Sequence, residues 1–329
     1  MSEPLPTVSL NLARESLRSK AFAFAILSVT HLETALALWR DRFGMQVLAH
    51  RSGADPELSK IWGLEPQAIA AQSLLVTPGM TQGGLHLVEF TEPGPTVRAG
   101  AAPTDLCPKS VDIAVHDIQT RFAELEAAGY QFRSKIGRFE TDGIVVYEVH
   151  LPGPEDVNLV FLEQVGKPEH VSAKGYGVSP QVVAISPDNR QEKQFFEAVL
   201  GMDEASYHRF GGPEVERTIG LPPGGQLDVR IFGDKDFDYG RLEIVQYEGV
   251  TSTNLYPRAQ PPARGFLGVS LYCEDIDAAL VCARSMISRT NLSHTLTPQD
   301  HGVVSSVLGS HRMATLFSPA GLRIELIGL

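Results

Sequence analysis

The chain has little cysteine, no long apolar run and no excess of positive charge. Its three cysteines, Cys107, Cys273 and Cys282, follow no zinc-ligand spacing and leave an odd one over. That usage points to a reducing cytoplasm. No apolar stretch approaches the ~20 residues a membrane span requires. Met1–Lys20 is polar and interrupted by Arg14, Arg18 and Lys20, which argues against a secretory leader. A formal charge of −11 removes the basic surface that nucleic acid or an anionic membrane would need. No glycine-rich strand-to-helix turn with a following Lys-Ser/Thr exists, so no nucleotide cofactor is expected. Gly211-Gly212-Pro213 and Pro222-Pro223-Gly224-Gly225 read as turns. Nucleophile elbows and paired redox cysteines are also missing. What remains is a cytoplasmic globular protein, monomer or homodimer, whose partner is a small molecule.

What the chain does have is a repeat. Gly44-Met45 recurs as Gly201-Met202, 157 residues on. At the same distance Gly63, Leu64 and Pro66 recur as Gly220, Leu221 and Pro223, and Leu85–Phe90 recurs as Leu242–Tyr247. So long a period indicates duplicated domains and not a solenoid. The apolar frame is kept while polar identity changes: Phe24 stands against Gln181, and His86 against Glu243.

Each half contains a shorter pattern twice: an apolar strand, a polar cap, an amphipathic helix, then further strands. The first strands are Phe24–Val29, Val111–Val115, Val182–Ile185 and Leu267–Cys273. Thr30, Asp117, Asp188 and Asp275 are placed to cap the helices. Leu32, Leu36, Trp39 and Phe43 share one helical face. The closing strands are Leu85–Phe90, Asn158–Leu162, Leu242–Tyr247 and Leu322–Ile327. Connectors rich in Pro and Gly run over Thr91–Pro108 and Gly249–Gly265. The division is an extension over 1–20, a first domain of modules one and two over 21–165, a linker over 166–177, and a second domain of modules three and four over 178–329.

This four-fold βαβββ pattern resembles the vicinal oxygen chelate superfamily, which includes glyoxalase I, bleomycin-resistance proteins and extradiol dioxygenases. The residues that carry the resemblance are Val29-Thr30-His31-Leu32, Phe43-Gly44, Ser186-Pro187-Asp188, Leu200-Gly201 and the closing hairpin Phe317–Leu326. It implies an α+β fold in which paired modules form cupped, barrel-like mixed sheets with helices outside. It also implies metal ligands at the start of the first strand and in the middle of the last. Those positions are Phe24, Ser110, Gln181 and Gly268, with His86, Asn158, Glu243 and Glu325.

By this reading the first half has lost its site, and His86 and Phe24 serve as substrate wall. The second half offers Gln181, Glu243 and Glu325, hard oxygen donors that suit Mg, Mn, Co, Ni or Zn; the dioxygenase relatives would take Fe. Adjacent pairing of modules three and four unites these three. Crossed pairing instead joins Gln181 and Glu243 to Ser110 and Asn158, and Glu325 to His86. Glu243 and Glu325 are the candidate acid and base for proton transfer beside a carbonyl. Strand alternation brings Tyr247 and Tyr272 to the same lining, and His311 lies within reach of module four's cup. His150, His208 and His301 read as surface residues. The expected function is an isomerase or lyase for a small, partly apolar or aromatic compound. The alternatives are an extradiol-type dioxygenase and a non-catalytic binding protein for a drug or metabolite.

Overall fold

The computed structural model describes residues 10, 12–13, 17–141, 143–167, 170–290 and 297–329. Arg14 of the extension and Pro168 of the linker lie outside them. Module one runs β1 (Phe22–Val29), α1 (Leu32–Leu36) with a π-helical turn over Ala37–Arg42, β2 (Gln46–Ser52), α2 (Pro56–Ile61), β3 (Ile69–Val76) and β4 (Gly84–Phe90). Module two is β5 (Pro108–Val115), α3 (Ile118–Ala127), β6 (Gly137–Thr141), β7 (Ile144–Pro152) and β8 (Asn158–Gln164). Module three is β9 (Tyr176–Ile185), α4 (Asn189–Ala198), β10 (Asp203–Gly211), α5 (Pro213–Ile219), β11 (Gln226–Gly233) and β12 (Arg241–Glu248). Module four is β13 (Gly265–Cys273), α6 (Ile276–Thr290), β14 (Gln299–Ser306), β15 (Gly309–Phe317) and β16 (Arg323–Gly328).

Three of the expected caps are present. Asp117 accepts from Thr120 N, Asp188 from Arg190 N and Gln191 N, and Asp275 from Ala278 N. Thr30 does not cap α1. Glu89 on the closing strand takes the Leu32 N–H at 2.7 Å, and Thr30 donates to Glu155. No helix among the described residues is long and apolar enough to cross a membrane.

The strands form two curled eight-stranded sheets, ordered β14-β15-β16-β13-β1-β4-β3-β2 and β10-β11-β12-β9-β5-β8-β7-β6. Module one therefore shares a sheet with module four, and module two with module three. The pairing is crossed, and the two halves of the chain are not separate cups as the 21–165 and 178–329 division supposed. The physical reason lies in the connectors. Thr91–Pro108 and Gly249–Gly265 are each long enough to carry the chain to the other sheet, and they run side by side. Bridges join Thr96 to Arg264 and Leu106 to Asn254. Arg264 Nε donates to Gly94 O at 3.0 Å, and Asp105 takes the Thr253 N–H at 2.7 Å. The link from β8 to β9 is short, so modules two and three stay in one sheet.

Alternation along each strand divides its side chains between two environments. Ala25, Leu27 and Val29 of β1, with Val182 and Ala184 of β9, join a core shared by both sheets and by the apolar faces of α1, α3, α4 and α6. Phe43 ties the sheets together there, with its ring 4.6 Å from Tyr176 and 6.0 Å from Phe161. The other faces line the two concave cups: Phe24 and Ile26 in one, Val183 and Ile185 in the other.

Because β9 and β13 pair with strands of the first half, residues 178–329 expressed alone should show no cooperative thermal transition by circular dichroism. Co-expression with residues 1–177 should restore it. A cooperative transition in the isolated half would contradict the crossed pairing.

Candidate functional site

The cup of modules one and four is filled. Trp62, just past α2, lies inside it with its ring 6.2 Å from His86 and 5.9 Å from Phe90. Phe24 and Tyr272 pack in the same apolar cluster. The polar groups satisfy one another. His86 Nε2 meets Gln72 Oε1 at 2.8 Å, and Gln72 Nε2 donates to Asp55 at 2.7 Å. Burial pushes the His86 imidazole down to about 3, so it is neutral at ordinary pH. Glu325 accepts from Trp62 Nε1 at 3.2 Å, Arg323 at 2.7 Å and Thr315 at 2.7 Å. A carboxylate so fully engaged has no face left for a substrate. His311 lies near the start of β15, one strand in from the edge, its Nδ1 2.9 Å from Gly328 O.

The 157-residue offset shows why the other cup differs. It carries α2 onto α5 and β3 onto β11, residue for residue. Trp62 then corresponds to Ile219, and Gln72 to Val229. The plug shrinks and the internal amide disappears. A cavity of about 350 Å³ remains, lined by Phe139, Val146, Val215, Ile219, Leu227, Val229 and Ile231, with Glu148, Gln181 and Glu243 as polar groups. Such a volume and lining suit a small, mostly apolar ligand held by a few polar contacts. Lys167, Asp238 and Arg241 form an ion-paired part of the wall, with both pairs at 3.0 Å.

Inside this cup Gln181 Nε2 donates to Glu243 Oε2 at 2.5 Å. The β12/β9 ladder sets that contact by placing Arg241 opposite Gln181 and Glu243 opposite Val183. In the β5/β9 ladder Val111 faces Val182, which brings Asp112 beside Gln181. Asp112 is buried, and its Oδ1 has no hydrogen-bond partner. Burial and the nearby charges of Glu243 and Glu148 hold the Asp112 carboxyl well above the usual range. Glu243 keeps a surface toward the cavity, yet protein surrounds its carboxyl group. Burial, then the Glu148 charge, raises it from 4.5 to about 8, with Lys109 opposing. Two protonatable carboxyls thus bracket one amide. Tyr247 lies further along β12 and accepts from Lys109 Nζ at 2.6 Å.

Ser110 and Asn158 are engaged with each other and with a histidine. Asn158 Nδ2 lies 3.0 Å from Ser110 Oγ and 3.2 Å from His150 Nδ1. His150 Nε2 then donates to Glu148 at 2.6 Å. His150 is buried, contrary to the surface reading, because the alternation of β7 turns it inward. His208 lines the cavity beside Phe210, and His301 is half-buried against Thr315.

By sequence, no protein-family model and no curated protein matches the chain. Solved structures do. Glyoxalase I from Zea mays superposes with a TM-score of 0.62 at 15% identity, covering 94% of this chain and 92% of that one. A proposed dioxygenase from Bacillus subtilis gives 0.53 at 12% identity, covering 95% and 86%. The chain has the vicinal oxygen chelate fold. The eight strand positions that the sequence resemblance implied for ligands divide four to a cup. One cup here has Phe24, His86, Gly268 and Glu325; the other has Ser110, Asn158, Gln181 and Glu243.

The set Gln181, Glu243 and Glu325 is therefore divided between two sheets and cannot hold one ion. The same division separates Tyr247 from Phe24, His86, Tyr272 and His311. Within the open cup the residues do not fit a four-ligand ion site. Ser110 Oγ is held by the Asn158 amide N–H, which leaves Asn158 Oδ1 as the one buried ligand atom of the four positions without a hydrogen-bond partner among the described residues, and Gln181 turns an N–H toward Glu243. No three His, Cys, Asp or Glu side chains among the described residues are arranged around a common ion position. Sequence reasoning missed Asp112, Lys109, Glu148 and His150. The signal for Asp112 was available: a carboxylate in the apolar strand Val111–Val115, two places from an expected ligand position.

Glu243 holds its proton in the folded state, where the unfolded chain releases it near pH 4.5. Folding therefore binds a proton between about pH 4.5 and 8, and stability falls as pH rises through that window. Glu243→Gln should reduce this decline, read from urea midpoints at pH 5 and pH 8. An unchanged decline would refute the raised carboxyl.

Proposed function

We propose that the cup of modules two and three is the active site of an isomerase or lyase that moves a proton beside a carbonyl in a small, largely apolar compound. The observation that carries this reading is the Asp112–Gln181–Glu243 cluster, in which Gln181 and Glu243 line an open cavity with Asp112 buried beside them, where the duplicated cup is plugged. Two carboxyls in one water-poor site cannot both ionise easily, so they divide acid and base roles. The ionised member removes the proton from carbon, and the protonated member donates to the oxygen that gains charge. The Gln181 N–H holds Glu243 in position. Glu148, tied to His150, supplies negative charge that disfavours ionising both members, so one of the two keeps its proton. Apolar side chains from β7, α5 and β11 exclude water and strengthen these electrostatic effects. No step is routed through a metal ion, because the donors present do not fit one.

The test is deuterium incorporation from D₂O into a panel of small α-hydroxy and α-keto carbonyl compounds, followed by NMR. Wild type should exchange at least one of them. Glu243→Gln and Asp112→Asn should each slow exchange by about 10²–10⁴-fold, while Glu325→Gln should have little effect if it remains folded. Equal exchange in wild type and Glu243→Gln would overturn the proposal. Tight ligand binding with no exchange would identify a binding protein instead.

A further inference from the structure

Three cations lie near the Tyr247 end of the same cup, and among the described residues no carboxylate lies within ion-pair distance of any of them. Arg98 comes from the Thr91–Pro108 connector, Lys109 from the head of β5, and Arg133 from the segment between α3 and β6. Arg98 Nη1 is 2.8 Å from Cys107 Sγ, and its Nη2 is 3.3 Å from Ala102 O. Lys109 Nζ meets the Tyr247 hydroxyl at 2.6 Å and lies 5.0 Å from its ring centre. Arg133 Nη1 donates to Ile219 O at 2.8 Å. Every one of these partners is neutral. By contrast Arg209, Arg230, Arg241 and Arg264 each hold a carboxylate within 4 Å.

The three are also close enough to act on one another. Burial, then Arg98 and Arg133, lowers Lys109 to about 7, and Arg98 adds to the lowering of Arg133. Lys109 is only 2% exposed. Arg98 and Arg133 reach solvent, but a buried ammonium beside two like charges is costly, with Glu243 acting on it only from beyond ion-pair distance, and an anion would lower that cost. The cluster adjoins the cavity. Arg133 binds the carbonyl of Ile219, a lining residue, and Tyr247 stands opposite Leu227, another lining residue, in the β11/β12 ladder. Tyr247 is four residues from Glu243 along β12, or ~13 Å at strand spacing.

We propose that Arg98, Lys109 and Arg133 form an anion subsite that receives the carboxylate or phosphate group of the substrate. The inference rests on the modules-two-and-three cup being the active site, and it narrows the substrate to an organic anion. Its apolar body lies along the cavity, with the reacting carbon near Glu243 and the anionic group near Tyr247. Arginine forks and a lysine ammonium suit both oxyanions.

The probes are inorganic phosphate and acetate, titrated calorimetrically into the full chain against sodium chloride of equal ionic strength. Wild type should bind at least one of them beyond the chloride control, and the stronger binder identifies the phosphate or carboxylate class. Arg133→Gln, at an exposed position, should fold normally and weaken binding by about tenfold. The Arg98→Gln/Arg133→Gln pair should abolish it, with circular dichroism confirming the fold. Glu243→Gln should bind at least as well as wild type while losing proton exchange, so failure of the subsite and failure of the acid–base reading are separable. No binding above the chloride control, or equal binding in Arg133→Gln, would overturn the subsite.

Discussion

The antiparallel ladder between β5 and β9 is the contact on which the site depends. It brings module two against module three and sets Val111 opposite Val182. Asp112 consequently stands beside Gln181, and the parallel β9/β12 ladder delivers Glu243 to the same amide. These three residues come from separate strands and are far apart in sequence. Backbone hydrogen bonds fix their spacing, so the cluster is pre-organised and does not rely on loops. The equivalent ladder between β1 and β13 places Phe24 opposite Ser270, and there the same geometry positions packing groups.

One duplicated frame has thus produced a filled cup and an open one. The difference rests on a few side chains. Trp62 fills space that Ile219 leaves empty, and Gln72 engages His86 where Val229 offers Glu243 no hydrogen bond, so that Glu243 is held by Gln181 alone among the described residues and faces the cavity. Burial acts in opposite directions on these counterparts. It holds His86 neutral by lowering its pKa and tends to hold Glu243 neutral by raising it. In the filled cup, Glu325 is neutralised by Arg323 and ordered by Trp62 and Thr315. By the proposed reading the open cup carries the chemistry, and the filled cup contributes to the fold.

Much of this was legible in the sequence, because period, caps and alternation are local properties. The 157-residue repeat, the four modules and the equivalence of His86 with Glu243 all follow from spacing. The facing of Glu243, Val245 and Tyr247 toward one cup follows from strand alternation. Module pairing was not legible. All four first strands carry apolar residues on both faces, so their pattern does not specify a partner. Pairing is decided by connectors that zip together through backbone groups, and residue types reveal those poorly. The choice of Glu325 as a third site residue failed for that reason alone. Lys109 was missed because its partner, Tyr247, becomes a neighbour only in the folded cup, whereas Glu148 and His150 stand two apart on β7 and their shared face was legible from alternation.

The account rests finally on an electrostatic condition: two carboxyls in the open cup that do not both ionise near neutral pH. Desolvation and the Glu148 charge impose it, opposed by Lys109 and the Gln181 hydrogen bond. A ¹³C NMR titration of the side-chain carboxyls, with Glu243 assigned by its loss in Glu243→Gln, measures that condition directly. The account predicts a Glu243 carboxyl that titrates near pH 8, with Asp112 also displaced upward. A Glu243 carboxyl that titrates at its ordinary value near 4.5 would contradict it.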